Sequence, residues 1–342
     1  MTAPALVLVP PEGSSSMTPE SVLLGLPVIR RTVLAATRAG FPRVAILGAG
    51  PDGPPSRALE GTSAEILPAG SPIPEGAVVV PWNRVFRTAE VRDLLAGRPF
   101  EALGIEIRSG ADRRRAERWL LDGLVKDNEG FMSRHFERKV SLAVSRLLAG
   151  TRITPNAMTL VSVGIGLLGA PFFLSARPAL QTAGALLFLL HSILDGCDGE
   201  LARLKFRESR FGGVLDFWGD NVVHSAVFAC IAVGWSRAAG ARWPLVLGGL
   251  AVGGTLASAG FVYASTMRAP KEGPLFTSVA ASDSAVSRIA DALSRRDFIY
   301  LVLALSLFGK AAWFLVLSAV GAPVFFLVLV ALSRRRPERK AT

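Results

Sequence analysis

Cysteine is nearly absent from the 342-residue chain, with Cys197 and Cys230 the only two. That is too few for a disulfide-stapled secreted fold. The opening stretch MTAPALVLVPPEG has no basic start, and its apolar run is too short for a secretory signal peptide. Acidic residues are outnumbered, 27 against 38 Lys and Arg, which leaves a formal charge of +11. Apolar residues, by contrast, make up 50% of the chain, which excludes intrinsic disorder. Basic and apolar together leave two partners, nucleic acid or the anionic face of a membrane, and the placement of the apolar residues decides between them.

Residues 1–111 read as a soluble α/β domain. Ala5–Val9, Val44–Leu47 and Ala77–Val80 are short apolar runs bounded by Pro and Gly, the pattern of buried strands. Between the first two, Pro27–Ala39 carries Val28, Ile29, Val33 and Ala36 at helical spacing and stops at Gly40. Strand, helix, strand in this order predicts a small parallel sheet with covering helices. Gly48–Pro55 and Ala69–Gly76 read as loops. Residues 112–152 alternate Arg and Lys with Trp119, Phe131, Phe136, Leu147 and Leu148, a basic amphipathic connector suited to an anionic membrane surface.

Six apolar spans follow, at Met158–Ser175, Ala179–Leu194, Val214–Trp235, Pro244–Tyr263, Phe298–Gly309 and Trp313–Leu332. Each approaches the ~20 residues that cross a bilayer, the fifth being short. Residues 153–333 therefore read as an α-helical integral membrane domain with six transmembrane helices, and 334–342 as a basic tail. Lys205, Arg207, Arg210, Arg268, Lys271, Arg288, Arg295, Arg296 and Arg334–Arg336 crowd one side, against Arg177, Arg237, Arg242 and Lys310 on the other. The positive-inside rule then places both termini in the cytoplasm and the protein in the cell's inner membrane. Nucleic acid drops out as the partner.

Ten acidic residues lie between Ile153 and Ser333, and six of them fall between Asp195 and Asp220. Ionisable groups at a membrane span are costly and mark function. Asp195 and Asp198 stand about 60° apart around a helix, Asp216 and Asp220 about 40°. Two neighbouring spans joined by a short turn bring these four carboxylates together. They repel one another unless cations lie between them, and oxygen-only ligands select Mg²⁺ or Mn²⁺, two ions in this arrangement. Gly196, Gly199 and Gly212 leave room for a bulky group at the backbone, and Arg203 can meet a phosphate.

Asp195, Asp198, Gly199, Ala202, Arg203, Gly212, Asp216 and Asp220 form D-x-x-D-G-x-x-A-R, eight residues, G-x-x-x-D-x-x-x-D. The pattern resembles the signature of the CDP-alcohol phosphotransferases (CDP-alcohol phosphatidyltransferases), six-helix membrane enzymes of phospholipid synthesis. Thr154-Pro155-Asn156, ahead of the first span, also resembles that family. The resemblance implies transfer of a substituted phosphoryl group from a CDP-alcohol to an acceptor hydroxyl, with release of CMP. It implies metal ligation by Asp195, Asp198, Asp216 and Asp220, with Asp220 also the general base. Gly199, Ala202, Arg203 and Gly212, joined by Thr154 and Asn156, would line the CDP pocket. The implied donor is CDP-diacylglycerol or a CDP-polyol, the acceptor inositol phosphate or glycerol phosphate, the surroundings membrane lipid, and the usual assembly a homodimer. Arg268, Lys271, Arg295 and Arg296 are candidates for a phosphate on the acceptor, while His224 and Cys197 read as packing residues.

Gly25–Leu47 resembles the strand–helix–strand of the nucleotidyltransferase half of fused inositol-phosphate cytidylyltransferase/di-inositol-phosphate-phosphate synthases. An active half needs a glycine-rich basic loop after its first strand, where this chain has Pro10–Ser16 without Lys or Arg. It also needs an aspartate after the Ala77–Val80 strand, where Pro81-Trp82-Asn83 stands. The domain is therefore expected to be inactive. Two alternatives compete: a bifunctional cytidylyltransferase/phosphotransferase, and a divalent-cation transporter using the aspartate cluster. Transport predicts acidic groups on several spans, and Pro244–Tyr263 and Trp313–Leu332 contain none.

Overall fold

The computed structural model describes residues 4–12, 18–48, 56–125, 136–268 and 298–334. They form two compact units, one built on residues 4–125 with Arg146–Arg152 and Arg203–Phe206, the other on the remaining described residues.

In the first unit, β1 (Leu6–Val9) is followed by a hairpin of β2 (Val22–Leu23) and β3 (Leu26–Pro27), α1 (Val28–Ala39) and β4 (Val44–Leu47). Then come β5 (Glu65–Leu67), β6 (Val78–Pro81), β7 (Arg84–Val85), α2 (Thr88–Leu95), β8 (Ile105–Glu106) and α3 (Gly110–Asp122). The expected parallel sheet is present, in the order β5-β4-β1-β6, with Leu6 opposite Val44 on one side and Val78 on the other. Leu6, Leu8, Ile46 and Val80 pack with Ile29, Val33 and Ala36 of α1 in one core, which is why these strands read as unbroken apolar runs. Gly40 ends α1 in the left-handed region at φ 102°, a conformation without penalty only for glycine. Edge strand β5 escaped the sequence reading because it is three residues long and mostly exposed. α3 starts at a capping box in which Ser109 and Asp112 satisfy each other's backbone N–H. Trp119, expected on a connector, carries the Arg87 guanidinium over its ring at 4.3 Å and accepts a hydrogen bond from Arg87 at its carbonyl.

The second unit is helical: α4 (Arg138–Ala149) up to Ser145, α5 (Pro155–Gly169, continued by a 3₁₀ turn to Leu174), α6 (Pro178–Lys205) up to Ala202, α7 (Arg210–Ala239), α8 (Trp243–Val262), α9 (Phe298–Leu307) and α10 (Ala311–Arg334). Among the described residues, five segments are long and apolar enough to cross a membrane: Pro155–Leu174, Pro178–Lys205, Arg210–Ala239, Trp243–Ser265 and Ala311–Ser333. This is a multi-pass membrane protein. The remaining expected span, Phe298–Gly309, corresponds to α9, an apolar helix of ten described residues. Its break from α10 falls at Gly309-Lys310, as the sequence indicated. Leu160, Leu168, Val246, Leu317 and Leu327 point outward and exposed, the arrangement a lipid solvent favours. Inside, Phe173, Phe188, Val223, Val227, Ile231, Val302 and Leu315 share one core. Small residues let helices close up: a Cβ on Gly254 of α8 would stand 2.6 Å from the Pro323 nitrogen of α10.

Candidate metal and nucleotide site

Asp195 and Asp198 lie toward the C-terminal end of α6, and Asp216 on the second turn of α7. Helix α6 ends at Lys205 and α7 begins at Arg210, so a short connection folds the two helices back on each other. Ser209 caps α7 by accepting from the Gly212 N–H at 3.0 Å, which fixes the start of the aspartate-bearing helix. The carboxylates of Asp195, Asp198 and Asp216 converge, one oxygen from each lying within 4.8 Å of the other two. Asp195 is 3% and Asp198 7% exposed, and Asp216 is half-buried with its Oδ1 buried and without a hydrogen-bond partner. Three carboxylates in so small a volume repel strongly away from water. A hard divalent cation with oxygen ligands fits this donor set.

Asp220, grouped with these three by sequence, is one turn farther along α7 and is not part of the three-oxygen convergence. Its Oδ1 instead faces His191 Nε2 at 3.5 Å. His191, one turn before Asp195 on α6, is 2% exposed and has Nδ1 3.0 Å from the Ser162 carbonyl. A carbonyl only accepts, so Nδ1 carries a proton and Nε2 is held toward Asp220. Thr159 donates from its hydroxyl to Asp198 Oδ2. Gly166 leaves room for the imidazole, since a Cβ there would stand 3.0 Å from His191 Cγ. Thr159, Ser162 and Gly166 thus form one stripe on α5 that backs the acidic cluster. Sequence reasoning missed this stripe and His191, although small and polar residues at helical spacing in an apolar span were the available signal.

The remaining residues separate by role. Asn156 and Gly212 meet: a Cβ on Gly212 would come within 2.9 Å of Asn156 Oδ1. Thr154 is the N-cap of α5, its hydroxyl accepting from the Ala157 N–H at 3.2 Å. Gly199 and Arg203 are half-buried and Ala202 is buried, one to two turns beyond Asp195 on α6. Cys197 is fully buried, and His224 stacks edge-on against Phe188 and Phe298, both packing roles as expected. Of the acceptor candidates, Arg268 is exposed at the end of the α8 segment, and its carbonyl accepts from Arg210. Lys271, Arg295 and Arg296 lie outside the described residues.

Glu200, two residues past Asp198, is fully buried for a different purpose. Its oxygens accept from Arg138 at 2.7 Å, Ser141 at 2.7 Å and Ser145 at 2.6 Å, all on α4. Gly196 sits against the same arginine, with 2.9 Å between the position of a Cβ and Arg138 Nη1. That glycine leaves space for a protein side chain, where the sequence suggested a ligand.

Residues 152–331 match the CDP-alcohol phosphatidyltransferase family. A bifunctional IPC transferase and DIPP synthase of Thermococcus kodakarensis is 42% identical over 120 residues, 35% of this chain and 27% of that protein. The archaetidylinositol phosphate synthase of Pyrococcus horikoshii is 32% identical over 91 residues, 27% of this chain and 47% of that protein. The chain thus spans less than half the length of either relative. Among solved structures, the Mycobacterium tuberculosis phosphatidylinositol phosphate synthase with CDP-DAG bound is 18% identical, covering 60% of this chain and 98% of that one at a TM-score of 0.42.

Proposed function

Because the chain belongs to the CDP-alcohol phosphatidyltransferase family, matched over residues 152–331, we propose that it transfers a substituted phosphoryl group from a CDP-alcohol to an acceptor hydroxyl. The observation that carries this reading is the convergence of the Asp195, Asp198 and Asp216 oxygens within 4.8 Å. Asp195, Asp198 and Asp216, with Asp220 alongside, would hold divalent cation, Mg²⁺ or Mn²⁺, as a pair of ions. Held there, such a metal would supply positive charge to neutralise the donor diphosphate and the departing CMP phosphate. Asp220 takes the proton from the acceptor hydroxyl, whose oxygen bonds to the phosphorus nearer the donor alcohol as the phosphorus–oxygen bond to CMP breaks. His191, when protonated at Nε2 as well as Nδ1, holds the Asp220 carboxylate in place. Gly199, Ala202 and Gly212 keep side chains out of the nucleotide's path, Arg203 supplies a cation to it, and Asn156 borders it beside Gly212. Thr154 acts through the helix start that carries Asn156.

The donor is CDP-diacylglycerol or a CDP-polyol, and the acceptor a polyol phosphate such as inositol phosphate or glycerol phosphate. The working form is a homodimer in the inner membrane with both termini cytoplasmic, a topology supported by the basic residues gathered at the aspartate end. Its layout is an α/β domain at 1–111, a connector at 112–152, the membrane domain at 153–333 and a tail at 334–342. The α/β domain acts as a scaffold without cytidylyltransferase activity. Asn83, standing where an active relative needs a metal-binding aspartate, is fully buried and spends its amide on the Ile107 carbonyl at 3.1 Å.

Purified protein in detergent, given Mg²⁺ or Mn²⁺, a CDP-alcohol and a panel of acceptors, should release CMP. Release from no donor, together with cation movement across vesicles, assigns the aspartates to transport instead. CTP consumption would restore a bifunctional enzyme.

A further inference from the structure

The bundle end remote from the aspartates holds a cavity of about 480 Å³. Gln181 on its wall precedes Asp195 by fourteen residues of one helix, about 21 Å along the axis at 1.5 Å per residue. The cavity is therefore separate from the metal site. Trp235, Trp243 and Trp313 line it, half of the six tryptophans in the chain, and the first two pack edge to face with centroids 4.5 Å apart. Trp243 is 51% and Trp313 63% exposed, which at the end of a membrane bundle puts both rings at headgroup depth. Lys310 also lines the cavity, and Arg177, Arg237 and Arg242 each adjoin a lining residue in the chain. All four basic residues are exposed, and none forms an ion pair with a described residue. The turns that carry them contain no Asp or Glu. Gln181, 7% exposed, ties the wall together by donating to the Ser175 carbonyl and accepting from the Ala311 N–H.

Basic residues on this side run against the usual topology bias, so a specific anion is a better account of four of them than orientation is. We propose that this cavity binds the phosphodiester headgroup of an anionic phospholipid from the leaflet opposite the aspartate site. Lys310 and the flanking arginines meet the phosphate. The tryptophans cover the glycerol region, and the first acyl carbons run out along Trp313 and Val316. The volume suits a headgroup and the start of its chains, with the remainder lying in the bilayer. This reading stands independently of the transfer chemistry.

The test uses full-length protein in phosphatidylcholine vesicles titrated with phosphatidylglycerol carrying brominated chains, read by tryptophan quenching. Quenching should saturate at a low mole fraction, whereas brominated phosphatidylcholine should quench in proportion to its content. Lys310→Gln and Arg242→Gln should each raise the half-saturation point about fivefold, while Arg207→Gln, at the aspartate end, should leave it unchanged. Ala238→Phe, which fills the cavity from an exposed position, should remove the saturable component in protein that still melts cooperatively. Equal, unsaturable quenching by both lipids overturns the proposal, as does an unchanged half-saturation point in both charge variants. Loss of the saturable component on adding millimolar inorganic phosphate also overturns it, because the cavity would then hold a free anion.

Discussion

Asp198 and Glu200 stand two residues apart on α6, both buried, and the protein treats them in opposite ways. Glu200 has a partner for each oxygen: a guanidinium and two hydroxyls from α4. Asp198 accepts from the Thr159 hydroxyl, and one of its oxygens lies within 4.8 Å of an oxygen of Asp195 and one of Asp216. A carboxylate compensated from within holds helices together. Carboxylates gathered against one another form a donor set that suits a hard cation. Neighbouring positions on one helix thus separate structure from chemistry because they point to different sides of it.

The comparison can be broken most sharply at Asp216. Asp216→Asn should lower CMP release on the order of 10³-fold, since metal-borne charge stabilisation is worth several kcal/mol. Without divalent cation the same change should leave the melting temperature unchanged or raise it, because it relieves repulsion. Glu200→Ala should do the reverse, destabilising by about 3 kcal/mol in thermal unfolding, because the buried Ser141 and Ser145 hydroxyls and the partly buried Arg138 guanidinium lose a shared acceptor. A double replacement of Arg138 and Glu200 by apolar residues should cost less than the single change. Next in size, Thr159→Val should weaken activation by Mn²⁺ or Mg²⁺ by roughly 10–100-fold, measured as the metal concentration giving half-maximal CMP release. A stability loss with unaltered metal response would place Thr159 with Glu200 instead.

The smallest effect belongs to the α/β unit, where a surface carboxylate offers a third case. The Arg108 guanidinium, chiefly through a hydrogen bond, holds the Glu106 carboxyl below its ordinary value of 4.5. A depressed folded value means the contribution is in place above that pH and is lost as the pH falls through the lowered value. Hydrogen exchange of the β7–β8 amides in the full chain should quicken over that acid range, and Glu106→Gln should flatten the response.

Much of this organisation is legible in the sequence, for reasons particular residues make plain. Leu6–Val9 and Val44–Leu47 announce a parallel sheet because strands buried on both faces carry no polar alternation. The aspartates at spacings of three and four, at the polar ends of apolar spans, fix their own helical faces. What could not be read is what answers them from other helices. Thr159, Ser162 and His191 matter only because α5 lies across α6 and α7, a packing that α5's own periodicity does not encode. Glu200 looked like one more member of an acidic cluster, since nothing local shows that α4 lies against it. For the same reason, spacing grouped Asp220 with the other three, while the packing turned it toward His191.

The three converging carboxylates fall between residues 195 and 216, on consecutive helices joined by residues 206–209 alone. Their meeting is local in sequence, so loop closure adds little entropy and no late-synthesised segment is needed to bring them together. During synthesis the charged hairpin is complete before α8 has been made. The carboxylates can therefore come together as this pair of helices inserts, with α8 and α10 packing afterwards around them.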